Sequence, residues 1–430
     1  MEHDVVRKPL TLFGIMLWAR WGGRMRQQER LAGADFLRAT ACLLVLAHHF
    51  ALRLDMRRIP DELGPTAHIL RFGNFGVAIF FVLSGFLLAH PFWRALDAGA
   101  DMPSLRHYAI RRTVRIAPGF WFAATIGFAL SLTLLDLPLT PELVLRYVSG
   151  LLFMSQWHWR TLFPVEADGP LWSIAFEVTS YVLLPICFLL LFRLPVLRRR
   201  PLPARFGWLC VMTAVLLAHV LILTFFPLDD IGRGWQYGLQ GGAKEWMPRY
   251  NPIGFFAVFA LGALSAGVEV MLPAKRSSWF DAAAALAIAV AGYRLVISPG
   301  GSDAGYGWLE IPYGFPVFPL AAATALVSLS HSQRLGRLFD NAAVRYIAKI
   351  SFGIYIWQEI ILILIQRLDP GSFGFSSENV VTGWLQSCGL AAALILLVAS
   401  LSYFLLEKPA IDFGNRLTSR QPNRATPFKV

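Results

Sequence analysis

Arg38 and His49 share one apolar run, which begins at Asp35, and they are the first pair whose spacing suggests chemistry. Eleven positions separate them, so on a helix they lie on one face roughly 16 Å apart. The neighbouring His48 points about 100° away from that face. A neutral imidazole can accept a proton from a hydroxyl nucleophile, as a general base must. A packing histidine near a membrane interface, with Arg38 reaching the opposite interface, is the alternative interpretation.

Two arginines at the start of a later apolar run form a second candidate site. Arg112 and Arg115 stand at positions i and i+3, so both can face one anionic ligand. Guanidinium groups bind phosphates well, and coenzyme A carries a pyrophosphate and a ribose phosphate. Anchoring to lipid headgroups explains the pair equally well. Between these two sites lies Ser84, which lacks the motif of a nucleophile elbow and is expected to be a packing residue.

A polar stripe runs along another apolar segment. Ser173, Glu177 and Tyr181 stand at positions i, i+4 and i+8 and therefore share one helix face. A glutamate one to two turns inside a membrane needs a partner or a wet cavity. The candidate partners are His49 and Arg38, and a purely structural ion pair is the alternative.

Weaker candidates occur towards the end of the chain. Tyr355 and Trp357 open one apolar run, and Glu407 ends the last one. No cysteines stand at metal-ligand spacing, so we predict neither a metal site nor a disulfide framework. All the cysteines lie in apolar runs and are expected to pack as small hydrophobic residues: Cys42, Cys187, Cys210 and Cys388.

The composition indicates which solvent surrounds these residues. The chain has 430 residues, 56% of them hydrophobic and only 15% charged. Soluble domains carry about 25% charged residues, so lipid is the expected surroundings. The net charge of +12 comes from short clusters between apolar runs rather than from one basic surface, which argues against nucleic acid as a partner.

The apolar runs predict an all-α polytopic membrane protein with about ten transmembrane helices. The predicted spans are 36–53, 74–90, 117–136, 171–192, 207–227, 252–271, 279–297, 312–330, 350–367 and 383–406. A further apolar piece, 143–157, is short and contains Arg146. Counting it as a crossing would place the Arg198–Arg200 cluster outside, so we predict that it is re-entrant or interfacial. Both termini are then cytoplasmic, although Arg53, Arg57 and Arg58 on the first outer loop fit this scheme poorly.

We divide the chain into three parts. Residues 1–33 are predicted to be a cytoplasmic arm or interfacial helix, because no cleavage site follows their apolar stretch. Residues 34–410 form the membrane domain, and residues 411–430 a basic cytoplasmic tail. We predict no separate soluble domain and find no internal repeat.

Taken in order, these segments resemble the acyltransferase family 3 membrane proteins, of the type that O-acetylates bacterial surface polysaccharides. The resemblance runs from Asp35 to Pro409. Its most specific element is an arginine, ten intervening residues and a histidine, which selects Arg38 with His49 rather than His48. Further matching blocks are Phe80-Phe81-x-x-Ser84-Gly85, Arg112-x-x-Arg115, Trp172-Ser173-x-x-x-Glu177, Ser351 to Trp357, and Glu407-Lys408-Pro409.

The resemblance implies an enzyme of the bacterial inner membrane that uses cytoplasmic acyl-CoA, by default acetyl-CoA, as co-substrate and needs no tightly bound cofactor. Its acceptor would be a hydroxyl of an extracytoplasmic glycan or glycolipid. His49 would be the general base, with Glu177 or another polar group orienting it. Arg38 would hold the donor or stabilise negative charge, and Arg112 with Arg115 would bind the coenzyme A phosphates. The supporting residues are Asp35, Ser84, Ser173, Tyr181, Tyr355, Trp357 and Glu407.

The chain departs from the family pattern at three places, one of which is Val178-Thr179 in place of a commoner Glu-Gln pair. Gln358 stands where members often have histidine, and Ala78 where they often have an acidic residue. The choice of acyl group and acceptor therefore stays open. The sequence also leaves open whether a covalent acyl-enzyme forms, what the oligomeric state is and whether there are partners in polysaccharide synthesis.

Two other classes of function are compatible with some of these residues. In a secondary transporter or glycan exporter, His49 and Glu177 would relay protons, but the chain lacks inverted repeats and has few midplane acids. Substrate flux without acyl-CoA would favour this class. A structural scaffold would instead tolerate replacement of His49.

Overall fold

The chain folds almost entirely into helices. A computed structural model describes residues 33–226, 234, 238–297, 305–374 and 379–419. These residues contain no strand, only one bridge between Ser277 and Ser332. The helices are α1 (Ala34–Ala51), α2 (Gly64–Arg71), α3 (Gly76–Ala98), α4 (Leu105–Thr133), α5 (Pro141–Leu151), α6 (Trp172–Phe192), α7 (Pro201–Phe225), α8 (Gly238–Trp246), α9 (Pro252–Met271), α10 (Ser278–Ile297), α11 (Val317–His331), α12 (Leu335–Phe339), α13 (Ala342–Leu368), α14 (Val380–Ser402) and α15 (Lys408–Ser419).

Eight of these helices are long and apolar enough to cross a membrane: α3, α4, α6, α7, α9, α10, α13 and α14. Each coincides with a predicted span, which confirms the polytopic membrane fold. The two remaining predicted spans, 36–53 and 312–330, coincide with α1 and α11. α1 has 18 residues, but Asp35, Arg38 and two histidines make it less apolar. α11 is apolar but has only 15 residues.

The ambiguous piece 143–157 is not a full crossing. It contains most of α5, which has 11 residues and is roughly 16 Å long, too short for a bilayer. The segment after α5 nevertheless dips towards the protein interior. Phe153 packs on Phe120 of α4, with ring centroids 4.9 Å apart. The Gln156 amide donates to Thr179 Oγ1, about two turns into α6, at 2.7 Å. This arrangement agrees with a re-entrant piece.

α3 and α9 form the most closely packed helix pair of the core, because glycines let their backbones touch. A Cβ atom added at Gly85 would lie 2.0 Å from the carbonyl oxygen of Phe259. A Cβ atom at Gly262 would lie 2.0 Å from the carbonyl oxygen of Val82. Any side chain at either position would therefore force the helices apart, as at other small-residue contacts between membrane helices.

α1 lies in this core between α3 and α13. The Cys42 thiol donates to the carbonyl oxygen of Ser351 on α13 at 3.6 Å. Seven residues after Cys42, His49 meets Glu359, which is eight residues after Ser351. The two helices therefore run side by side in the same direction, so that Cys42 lies level with Ser351 and His49 lies level with Glu359. Asn341 sets the start of α13, because its side chain caps the helix by accepting from the Val344 amide at 3.0 Å.

The predicted domain limits fall at the edges of the described chain. Of the predicted arm 1–33, only Gly33 lies within the described residues. At the other end, α15 runs through the predicted limit at residue 410, and residues 420–430 of the predicted tail lie outside the description.

Candidate active site

A cleft between α1, α3, α4, α6 and α13 collects most of the predicted site residues, and we call it the arginine cleft. α1 supplies one of its three arginines, and α4 supplies the other two. The predicted residues that line it are Arg38, Ser84, Arg112, Arg115, Ser173, Glu177, Tyr181 and Tyr355. The long-range fold therefore brings together residues that are far apart in the sequence.

The charges in the arginine cleft favour an anion. Arg38, Arg112 and Arg115 face one another closely enough to repel electrostatically. Glu177 is the one acidic residue among the lining residues described. Asp35, outside the lining, lies 3.8 Å from Arg38, from its carboxylate oxygen to Nη1. Three guanidinium groups against one lining carboxylate leave excess positive charge, which a phosphate-bearing ligand would neutralise.

Glu177 belongs to the arginine cleft and makes its hydrogen bonds there. Its Oε1 accepts from Ser84 Oγ at 2.6 Å and also from the Tyr181 hydroxyl. Glu177 and both of its partners line the same cleft as Arg38, whereas His49 does not. Among the two partners considered from the sequence, this placement favours Arg38 over His49.

Hydroxyl groups close the far end of the arginine cleft. The Tyr355 hydroxyl donates to the carbonyl oxygen of Pro170 at 2.9 Å and lies 2.6 Å from Ser173 Oγ. Since a carbonyl oxygen only accepts, Ser173 is the donor to Tyr355. These bonds fasten the chain that leads into α6 against α13. The stripe predicted along α6 therefore begins at the closed end of the cleft.

His49 lies in a separate group of charged residues, one helical turn beyond Tyr355. Its Nδ1 is 3.2 Å from Glu359 Oε2, and Arg53 Nη2 is 2.8 Å from Glu359 Oε1. We call these three residues the histidine cluster. The side chains of His49 and Glu359 are each 15% exposed. With Nδ1–H donated to Glu359, the lone pair of neutral His49 is on Nε2, where a proton can be accepted.

His48 is held in a structural role by its own hydrogen bond. Its Nδ1 donates to the carbonyl oxygen of Arg71 at 2.5 Å, and the residue is buried. The two adjacent imidazoles therefore differ in environment: His48 braces the chain before α3, whereas His49 faces a carboxylate.

Sequence reasoning missed Glu359 and misjudged Arg53. An acidic residue inside the apolar run of α13 is itself a signal, because a buried charge in a membrane needs a partner. Arg53 seemed to violate the charge rule for outer loops, yet it is paired with Glu359. Arg57 is likewise paired, with Asp55 at 3.3 Å. These pairs reduce the excess positive charge on that loop.

Three predicted supporting residues lie outside the cleft lining. Besides Asp35, Trp357 packs edge-on against Phe122 of α4, with centroids 5.7 Å apart. Glu407 is buried, accepts from Ser402 at 3.1 Å and interacts electrostatically with Arg115. In the described part of the chain, no three His, Cys, Asp or Glu residues are grouped as a metal site would require.

Comparison with known proteins gives two kinds of match. The family model described as "Acyltransferase domain" matches residues 31–403. "Putative peptidoglycan O-acetyltransferase YrhL" of Bacillus subtilis (strain 168) is 25% identical over 412 residues, which cover 93% of this chain and 57% of YrhL. "Acyltransferase MdmB" of Streptomyces mycarofaciens is 24% identical over 406 residues, which cover 93% of this chain and 95% of MdmB. The chain thus spans little more than half of YrhL but nearly all of MdmB. No solved structure matches the chain.

Proposed function

The chain belongs to the acyltransferase domain family, and on that premise we propose that this membrane enzyme transfers an acyl group, acetyl by default, from acyl-CoA to a hydroxyl group of an acceptor. One observation carries the proposal: an arginine-lined cleft and a carboxylate-paired histidine lie along the same two parallel helices, and Tyr355 of the cleft is one turn of α13 from Glu359, the partner of the histidine. The first suits a phosphate-bearing donor, and the second suits a base for a hydroxyl nucleophile.

The donor would enter the arginine cleft. Arg112 and Arg115 would bind the coenzyme A phosphates, with Arg38 deeper in the cleft towards the thioester. The carbonyl carbon would lie at the closed end, near Tyr355. Glu359 is four residues after Tyr355 on α13, which corresponds to a rise of roughly 6 Å along the helix. Arg38 would also counter negative charge on the donor.

During the transfer, His49 first takes up one proton and then gives it away. His49 Nε2 takes the proton of the acceptor hydroxyl while that oxygen attacks the thioester carbonyl. As the tetrahedral intermediate collapses, the carbon–sulfur bond breaks and the leaving thiolate takes the proton from His49. Glu359, rather than Glu177, is the orienting group in this proposal. It keeps Nδ1 protonated and balances the transient imidazolium charge.

In this proposal the two substrates approach from opposite sides of the membrane. The clusters of Lys and Arg support an orientation in which the arginine cleft would open to the cytoplasmic side of a bacterial inner membrane, with both termini cytoplasmic. The histidine cluster would then face the outer side, where a glycan or glycolipid acceptor would arrive. The name of YrhL, which mentions peptidoglycan, supports an acceptor of the cell surface. In this proposal acyl-CoA is a co-substrate, no cofactor is tightly bound, and lipid surrounds the spans.

The proposal is tested by following a labelled acyl group. Purified protein in detergent is incubated with radiolabelled acetyl-CoA and an extracted pool of host surface glycans. We expect label in a glycan fraction together with stoichiometric release of free coenzyme A. Glycan movement across proteoliposomes in the absence of acetyl-CoA, with no label transferred, would instead indicate a transporter.

A double substitution tests the donor site. We expect Arg112→Ala with Arg115→Ala to raise the KM for acetyl-CoA about 10- to 100-fold, because each arginine loses a charge-assisted bond to phosphate. The matched control is Arg106→Ala with Arg111→Ala, which removes the same charge from exposed positions of the same helix. Equal effects of the two pairs on KM, measured by coenzyme A release, would show that only general positive charge matters.

A further inference from the structure

Asp168 is a buried acidic residue that the transfer mechanism does not use. It precedes α6 by a few residues and is 0% exposed. Neither of its carboxyl oxygens has a hydrogen-bond partner within the described chain. A buried carboxyl group without a partner normally costs stability, so its presence calls for a function. Burial, and after it the charge of Glu359, raise the pKa of Asp168 well above its usual range, which favours the protonated form.

Asp168 lies close enough to the histidine cluster to interact with it electrostatically. The hydrogen bond from Tyr355 to Pro170 fastens the segment that contains Asp168 against α13. Asp168 interacts electrostatically with both Tyr355 and Glu359. On the α4 side, the Asp168 Cβ lies 3.4 Å from the place where a Cβ of Gly127 would be, so α4 approaches Asp168 at a glycine.

Two more buried polar atoms without hydrogen-bond partners in the described structure lie on the turn of α13 that carries Glu359. In the described structure, Gln358 Oε1 and Trp357 Nε1 have no hydrogen-bond partner. Gln358 is 0% exposed, and its amide nitrogen is already bonded to the Tyr355 carbonyl at 3.2 Å. Oε1 of Gln358 can only accept, and Nε1 of Trp357 can only donate. A ligand that satisfies both kinds of atom, and a carboxyl group as well, must itself donate and accept, as hydroxyl groups do.

We propose that Asp168, with Gln358, binds the hydroxyl groups of the acceptor next to the one that His49 deprotonates, and so determines which polyhydroxylated acceptor is used. This inference rests on the proposed function and names the acceptor side of the same site. Asp168 donates to one substrate hydroxyl and accepts from another, and Gln358 Oε1 accepts from a third group. The chemical class recognised is a compound with neighbouring hydroxyls, such as a sugar residue.

The test combines a binding measurement with a stability measurement. The glycan fraction that wild type labels is used in its unreacted form as the acceptor, and Asp168→Leu and Asp168→Asn are compared with Asp101→Asn, an exposed loop control. We expect Asp168→Leu to raise the acceptor KM at least about tenfold, while slow hydrolysis of acetyl-CoA without acceptor stays within twofold of wild type. Asp168→Asn, which still donates and accepts, should lie between wild type and Asp168→Leu. Asp101→Asn should match wild type.

Thermal unfolding separates recognition from support of the fold. Because the Asp168 oxygens have no described hydrogen-bond partner, Asp168→Leu should unfold at the same temperature as wild type or higher. A lower Tm, with hydrolysis lost as well, would show that Asp168 supports the structure and would overturn the inference. An unchanged acceptor KM would also overturn it, while leaving the proposed function intact. No glycan labelling by wild type would overturn the proposed function, and this inference with it.

Discussion

Replacing His49 with glutamine is expected to lower kcat for acyl transfer about 10²- to 10⁴-fold, the usual contribution of a general base. Glutamine has a similar size and can still bond to Glu359, but it cannot accept a proton at the position of Nε2. Since His49 lies outside the arginine cleft, the KM for acetyl-CoA should change little. The measurement is label transfer at saturating donor, with thermal unfolding as a check of the fold.

The adjacent histidine provides the matched control. His48→Gln removes an imidazole from the same helical turn and, as at position 49, keeps an amide that can donate to the partner, here the Arg71 carbonyl. It should leave kcat within a few-fold of wild type, because His48 is buried against the backbone. Full transfer by His49→Gln would remove this residue from the mechanism and would fit a scaffold in which it is dispensable. Equal losses in both variants would point to a general disturbance of α1.

Glu359→Gln is expected to have the second largest effect, a fall in kcat of about 10²- to 10⁴-fold at unchanged KM for acetyl-CoA. The glutamine amide can donate to His49 Nδ1, which would place the proton on Nε2 and abolish its ability to act as a base. Glu359 acts through His49, so it is a positioning residue. The double variant His49→Gln with Glu359→Gln should therefore be no slower than His49→Gln alone, because the two residues act as a unit.

Arg53 separates this role from a structural one. Arg53→Gln removes the other partner of Glu359 and leaves a buried carboxylate less well paired. Glu359→Gln in turn leaves Arg53 without its carboxylate, so Arg53→Gln and Glu359→Gln should both lose stability. Only Glu359→Gln should lose most of its kcat. If Arg53→Gln is as slow as Glu359→Gln when both are compared well below their Tm, the carboxylate serves the fold rather than His49.

The helices could be predicted because lipid imposes a simple rule on sequence. A run of about 20 apolar residues has almost no alternative to a helix in a bilayer. α1 shows the limit of this rule, because its ionisable residues lower its apolar character although it packs at the centre of the bundle. α11 shows another limit, because it is shorter than a full span. The charge clusters alone predict that α5 does not cross, and its 11 residues agree with this prediction.

The site was predictable within single helices but not between them. The stripe of Ser173, Glu177 and Tyr181 follows from helical spacing, and all three residues line one cleft. Spacing gives no information about which residue of another helix lies opposite, so Glu359 was missed as the partner of His49. Asp168 was missed for a different reason: it lies in a loop, and only its burial without a hydrogen-bond partner distinguishes it from an ordinary surface acid.

The hydrogen-bonded closure formed by Ser173, Tyr355 and Pro170 bears on the energy supply of the cell. In the proposed topology, donor and acceptor enter from opposite faces, so two wet vestibules approach each other within about one helical turn. A continuous file of water between them would let protons run down their gradient. Direct hydrogen bonds among Ser173, Tyr355 and Pro170 occupy that gap, so the proposed transfer between the two faces would leave the proton-motive force intact.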